Sequence, residues 1–169
     1  WLGADEAVKR AVDELPQSAP GERFVYSDIG YIILGEIVSR VSGQPLQAFV
    51  QQRILDPMRM TSAGFLPAAA RRSVIAPTQF CTAYGWPCDG PDQILLQGIV
   101  HDPTARRMGG VAGHAGLFGS AEDLSRYARM LLRGGEIDGQ RVLSPAGVTR
   151  MTSTATPPAM NVQRGLGWD

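Results

Sequence analysis

The stretch Phe24–Gly43, FVYSDIGYIILGEIVSRVSG, reads as a loop that becomes an apolar helix at a polar cap. Ile29, Ile32, Ile33, Ile37, Val38 and Val41 recur at helical spacing and form one broad apolar face. Ser27 or Asp28 supplies the N-cap, and Gly43 supplies the left-handed residue that ends such a helix. A helix this apolar predicts a place at the centre of a core. Just ahead of the cap stands Tyr26, where a phenol can serve either the cap or a reaction.

Working outward, residues 4–15 (ADEAVKRAVDEL) set Ala7, Val8, Ala11, Val12 and Leu15 on one face. Asp5 and Glu6 lie at the positive end of the helix dipole, and Pro16 stops the helix. Downstream of Gly43, PLQAFVQQRIL begins with Pro45 at a first-turn position and predicts a helix of two to three turns that ends at DPMRM. From 62 to 119 no period is sustained, a pattern that predicts functional loops or an element that periodicity does not mark. The period returns in SAEDLSRYARMLLRGG. Ser120 and Asp123 form a capping-box pattern there, Leu124, Tyr127, Ala128, Leu131 and Leu132 form a face, and Gly134-Gly135 is a stop. Asp138-Gly139 predicts a tight turn, and Ser144 with Pro145 predicts the N-cap and N1 of a last helix. The expectation is one domain over residues 1–169, mainly helical, with long loops.

The balance of 16 basic and 16 acidic residues gives a formal charge of zero, which favours neither nucleic acid nor an anionic membrane. Pairs such as Arg71-Arg72 and Arg106-Arg107 are expected to be solvated surface arginines. No run of about 18 apolar residues is present, so no membrane span is expected. Lys9 is the one lysine, which removes most options for lysine chemistry. Cys81 and Cys88, in FCTAYGWPCDG, lie too far apart for a CxxC knuckle. In an exported protein they predict a small disulfide loop, and in a reducing compartment two ordinary thiols.

Nucleophilic serine chemistry needs a serine, a base and oxyanion donors, and neither G-x-S-x-G nor S-x-x-K occurs in the chain. Metal chemistry has only His101-Asp102 and His114 to draw on, without H-E-x-x-H. Loop histidines bonded to backbone carbonyls are expected instead, with no metal and no cofactor. The run MGGVAGHAGLFGS lacks a preceding strand and a G-K-[ST], so its glycines predict tight backbone turns and not a phosphate cradle.

Several segments together resemble one family, the serine beta-lactamases of the class C type with their penicillin-binding and esterase relatives. They are PGERFVYSDIGYIILGEIVSRVSGQPLQAFVQQRILDPMRMTSAGF, IVHDPTARRMGGVAGHAGLFGSAEDLSRYARMLLRGG, RVLSPAGVTRMT and the terminal GLGWD, in the family's order. The resemblance implies the helical subdomain of a beta-lactamase/transpeptidase-like α+β fold, with the flanking sheet segments largely absent. It implies that Tyr26 is the catalytic tyrosine of a Y-x-N motif and that Asp28 stands where an asparagine contacts the substrate amide. An ionised acid cannot donate the hydrogen bond that an amide gives, so Asp28 is a departure that bears on beta-lactam hydrolysis. The family's S-x-x-K and its K-T-G or H-x-G motif are not present at the expected places. His114-Ala115-Gly116 matches H-x-G only by letters, in the loop before the SAEDLSRY helix. The motif lysines would be the cations that lower a phenol's pKa from near 10 to about 7, a shift worth about 4 kcal/mol.

The chain is therefore expected to be the middle of a hydrolase that forms an acyl-enzyme on an ester, amide or beta-lactam substrate, and to be inactive alone. The alternative is a non-catalytic helical binding or structural module, and a third reading is a metal-dependent hydrolase using His101 and His114. An apolar surface left by missing segments predicts a homodimer. The family resemblance places the parent in the periplasm or outside the cell.

Overall fold

The computed structural model describes residues 1–81, 88, 94–160 and 162–168. Six α-helices are present among them: α1 (Ala4–Asp13), α2 (Asp28–Ser42), α3 (Leu46–Val50), α4 (Pro103–Arg107), α5 (Ala121–Leu132) and α6 (Pro145–Thr152). Their ends follow local chemistry. Ser27 is the N-cap residue of α2 in extended conformation, and Gly43 ends the helix in the left-handed region at φ 68°. The α5 cap is half of a reciprocal box. Ser120 Oγ accepts from the Asp123 amide, while Asp123 turns away to accept from the Ser62 amide. Ser144 Oγ accepts from the Gly147 amide and Pro145 opens α6.

The helix predicted from Pro45 continues past α3 as a π-helical turn, Gln51–Leu55, before the chain reverses at 56–60. Residues 62–119 hold more regular structure than their sequence predicts. Strand β1 (Gly64–Phe65) pairs antiparallel with β2 (Leu117–Phe118), the 3-10 turn Ala69–Val74 follows β1, and α4 lies between. Each strand is two residues long, too short to show a period of two. A second hairpin, β3 (Glu136–Ile137) with β4 (Gln140–Arg141), turns at Asp138 and Gly139, both at positive φ.

The largest buried cluster joins Leu55, Met58, Met60, Met130 and Ile137, clamping the end of the π turn against α5 and the hairpin. Arg126 reinforces that junction by donating to the Met58 carbonyl and pairing with Asp138. Cys81 and Cys88 are joined by a disulfide beside Leu96, while the residues between them lie outside the described set. A third cluster, Val100, Ala105 and Ala112, anchors α4.

Three expectations are corrected. Helix α2 is not central to a core: of its residues only Ile32 and Gly35 are buried, and Ile37 and Val41 are exposed. On α1, Ala7 and Ala11 face inward while Val12 and Leu15 face out. Arg106 is not a surface arginine. It is buried, donates to the carbonyls of Val100 and His101, and loses part of its affinity for a proton to that burial. Helical spacing marks which face is apolar, but a face becomes core only where another segment covers it.

Candidate functional site

Tyr26, Ser27 and Asp28 lie at the N-terminus of α2 on one wall of a cleft of about 710 Å³. Tyr26 is 74% exposed, so its phenol faces open space and is not packed as a cap. The opposite wall comes from the C-terminal segment, which folds back on α6 through the Leu166 amide on the Met151 carbonyl and the Ala155 amide on the Arg164 carbonyl. Arg164 lies over the Phe24 ring at 4.7 Å, joining the two walls. Trp168 stacks on Tyr127 of α5 with centroids 6.4 Å apart and also lines the cleft. The terminal segment and the tyrosine segment, distant in sequence, are thus opposite faces of one opening.

The floor is the glycine-rich loop. A Cβ on Gly113 would stand 1.9 Å from the Tyr31 carbonyl oxygen and 3.1 Å from the Gly35 nitrogen, so only glycine lets the loop press onto α2. Gly116, at φ 114°, is equally constrained, because a Cβ there would meet the Gly110 carbonyl oxygen at 2.4 Å. The sequence predicts tight backbone turns for these glycines; at Gly113 the structure shows instead a close approach of the loop to a helix distant in sequence.

That approach carries His114 beneath the tyrosine wall. Its side chain is 4% exposed, and Nε2 lies 2.9 Å from Asp102 Oδ1. The same Asp102 oxygen caps α4 by accepting from the Ala105 amide at 2.6 Å. Asp28 completes a cluster, in which one carboxylate oxygen of each of Asp28 and Asp102 and a ring nitrogen of His114 lie within 4.8 Å of one another. The second nitrogen, His114 Nδ1, is buried without a hydrogen-bond partner. Sequence reasoning set His114 among histidines bonded to carbonyls, whereas its partner is a carboxylate. His101 is exposed and stands outside this cluster, so the pairing of His101 with His114 as metal ligands is not found among the described residues. The dipeptide His101-Asp102 and the letters HAG marked both segments, but no local spacing shows that they meet.

Among the described residues no helix is long and apolar enough to cross a membrane.

The Beta-lactamase family model matches residues 1–169. An N-acetylmuramyl-L-alanine amidase of Bacillus subtilis is 33% identical over 157 residues, covering 88% of this chain and 34% of the relative. A penicillin-binding protein homologue from Caulobacter crescentus superposes with TM-score 0.71 at 19% identity, over 97% of this chain and 47% of that one. An octameric penicillin-binding protein homologue from Pyrococcus abyssi gives TM-score 0.66 at 22% identity, over 99% of this chain and 35% of that one. The chain spans about a third of the length of the curated relatives it matches, 35% and 34% for two of them.

Proposed function

The chain belongs to the beta-lactamase family, and from that premise we propose that it supplies the tyrosine wall of the cleft of a serine hydrolase. The reaction is acyl-enzyme formation and hydrolysis on an ester, amide or lactam carbonyl. Tyr26 relays the proton between nucleophile and leaving group, and Asp28 contacts the substrate beside the scissile bond. The chain is the helical portion of the α+β fold, and the S-x-x-K serine and lysine come from sequence outside these 169 residues.

One observation carries this reading. Tyr26 is exposed on the cleft, with Asp28 two positions beyond it and Arg164, Gly165, Gly167 and Trp168 lining the same cleft. A phenol held at a helix N-terminus beside an opening can reach a bound substrate, whereas a capping tyrosine would be packed. The amidase relative supports cleavage of an amide, and the disulfide supports a site outside the reducing cytoplasm.

The test is turnover of nitrocefin and of p-nitrophenyl acetate by the 169-residue chain and by its reading frame extended at both ends. The extended protein turns over at least one of them and the chain alone neither. Equal turnover by both would contradict the assignment of nucleophile and lysine to flanking sequence. A non-catalytic helical module is the second reading, favoured by the uncovered apolar face of α2 at Leu34, Ile37 and Val41.

A further inference from the structure

The Asp102–His114 pair has no role in the mechanism above, yet the fold invests in it. The Asp102 side chain holds the start of α4 and the imidazole with one oxygen, Oδ1. Gly113, the residue before His114, is pressed onto α2 so closely that no other residue fits. The imidazole is thereby fixed under the first turn of α2, within reach of the Asp28 carboxylate. Two ionised carboxylates this close repel each other, and the buried ring beside both restricts the space into which the Asp28 carboxylate can turn.

Asp28 also faces the cleft. It sits in the first turn of a 15-residue helix, where the helix dipole favours an anion, and among the described residues no ion pair or side-chain hydrogen bond occupies it. Two arginines line the cavity and are held elsewhere. Arg23 donates to the Gln17 carbonyl at 2.8 Å, and Arg164 lies over Phe24. An aspartate where the family resemblance places an asparagine presents acceptors only.

We propose that Asp102 and His114 are positioning residues for Asp28, and that the Asp28 carboxylate selects substrates carrying a free amino group next to the scissile carbonyl. The proposal rests on the cleft being the substrate site and names the substrate class for it. An acylated amine has one N–H and no charge to offer the carboxylate, whereas an ammonium has three N–H donors and a positive charge.

The test needs no turnover, so it separates this inference from the hydrolase reading. Glycinamide and N-acetylglycinamide are titrated into the protein with EDTA present, and the backbone amide of Gly113 reports binding by NMR. Glycinamide binds about tenfold tighter, the gain expected of one charge-assisted hydrogen bond. Asp28→Asn, at an exposed position, brings the two ligands within about twofold of each other. His114→Ala reduces the preference, and His114→Gln, whose amide can still donate to Asp102, retains more of it. A merely structural role would weaken both ligands together and leave their ratio unchanged. Equal affinity of the two ligands for the unmodified protein overturns the proposal, and so does a preference that survives Asp28→Asn. If the extended reading frame hydrolyses nothing while the preference is present, the hydrolase reading fails and with it the substrate class, and only the preference of Asp28 for a free amine stands.

Discussion

Gly113 and Tyr31 define how the glycine loop meets α2: a Cβ at position 113 would stand 1.9 Å from the Tyr31 carbonyl oxygen. Neither partner can yield cheaply, because the carbonyl belongs to the helix and the loop is fixed at its other end by Gly116 against Gly110. Gly113→Ala therefore forces the loop off the helix and costs about 3 kcal/mol, the upper part of the usual overpacking range. Gly30 is the matched control, a helical glycine where an added Cβ would meet nothing within 4 Å. Gly30→Ala is expected to raise stability by about 0.5–1 kcal/mol through helix propensity. Urea unfolding midpoints of the two variants check both signs.

Asp138 carries a predictable acid dependence. Its hydrogen bond with Arg126 holds the carboxyl below its ordinary value, with the nearby positive charges of Arg126, Arg59 and Arg129 acting the same way. A depressed native pKa means that the contribution is complete above the unfolded value of about 3.9 and is lost as the pH falls through the lower native one. Asp138→Asn removes this contribution and keeps a residue that tolerates the positive φ of the turn. The stability gap between the two proteins should be constant from pH 7 to about 5 and shrink below about 4. A gap that does not change with pH would separate Asp138 from the acid limb.

The Cys81–Cys88 disulfide closes a short loop. Its removal by reduction is expected to cost about 2–3 kcal/mol on the loop-entropy scale. Intact mass of the alkylated native protein should show no free thiol, and the reduced protein should melt at a lower temperature. Two alkylated thiols in protein never exposed to reductant would contradict the pairing.

The face of α2 carrying Leu34, Ile37 and Val41 is apolar and exposed, as are Val12 and Leu15 near α1. Such surface favours association. Light scattering should find the 169-residue chain as a dimer and the Leu34→Glu/Val41→Glu variant as a monomer. A clean monomer without substitution would count against association through this face.

How much of this was legible in the sequence follows from the range of each interaction. Ser27, Gly43, Ser144 with Pro145, and Asp138-Gly139 act within a turn of themselves, so their letters predict their structure. The pairing of Gly64 with Phe118 is long-range, and its strands are too short for any period to mark them. The apolar side of α2 was visible in the spacing of its isoleucines, but its exposure was not, since amphipathicity does not say whether a covering segment is present. The cleft was legible only in part. Tyr26 and Asp28 stood out through family resemblance, whereas the approach of His114 and Asp102 to them depends on a glycine contact that brings three separate segments together.

The central claim is that Tyr26 moves protons for a serine nucleophile supplied by flanking sequence. Its most direct test is kcat for p-nitrophenyl acetate in the extended reading frame, with and without Tyr26→Phe, which removes one hydroxyl from an exposed side chain and leaves the fold intact. A loss of about 100-fold or more in kcat with unchanged unfolding behaviour is expected, the scale of a missing general acid–base group. Undiminished turnover by the Tyr26→Phe protein would contradict it.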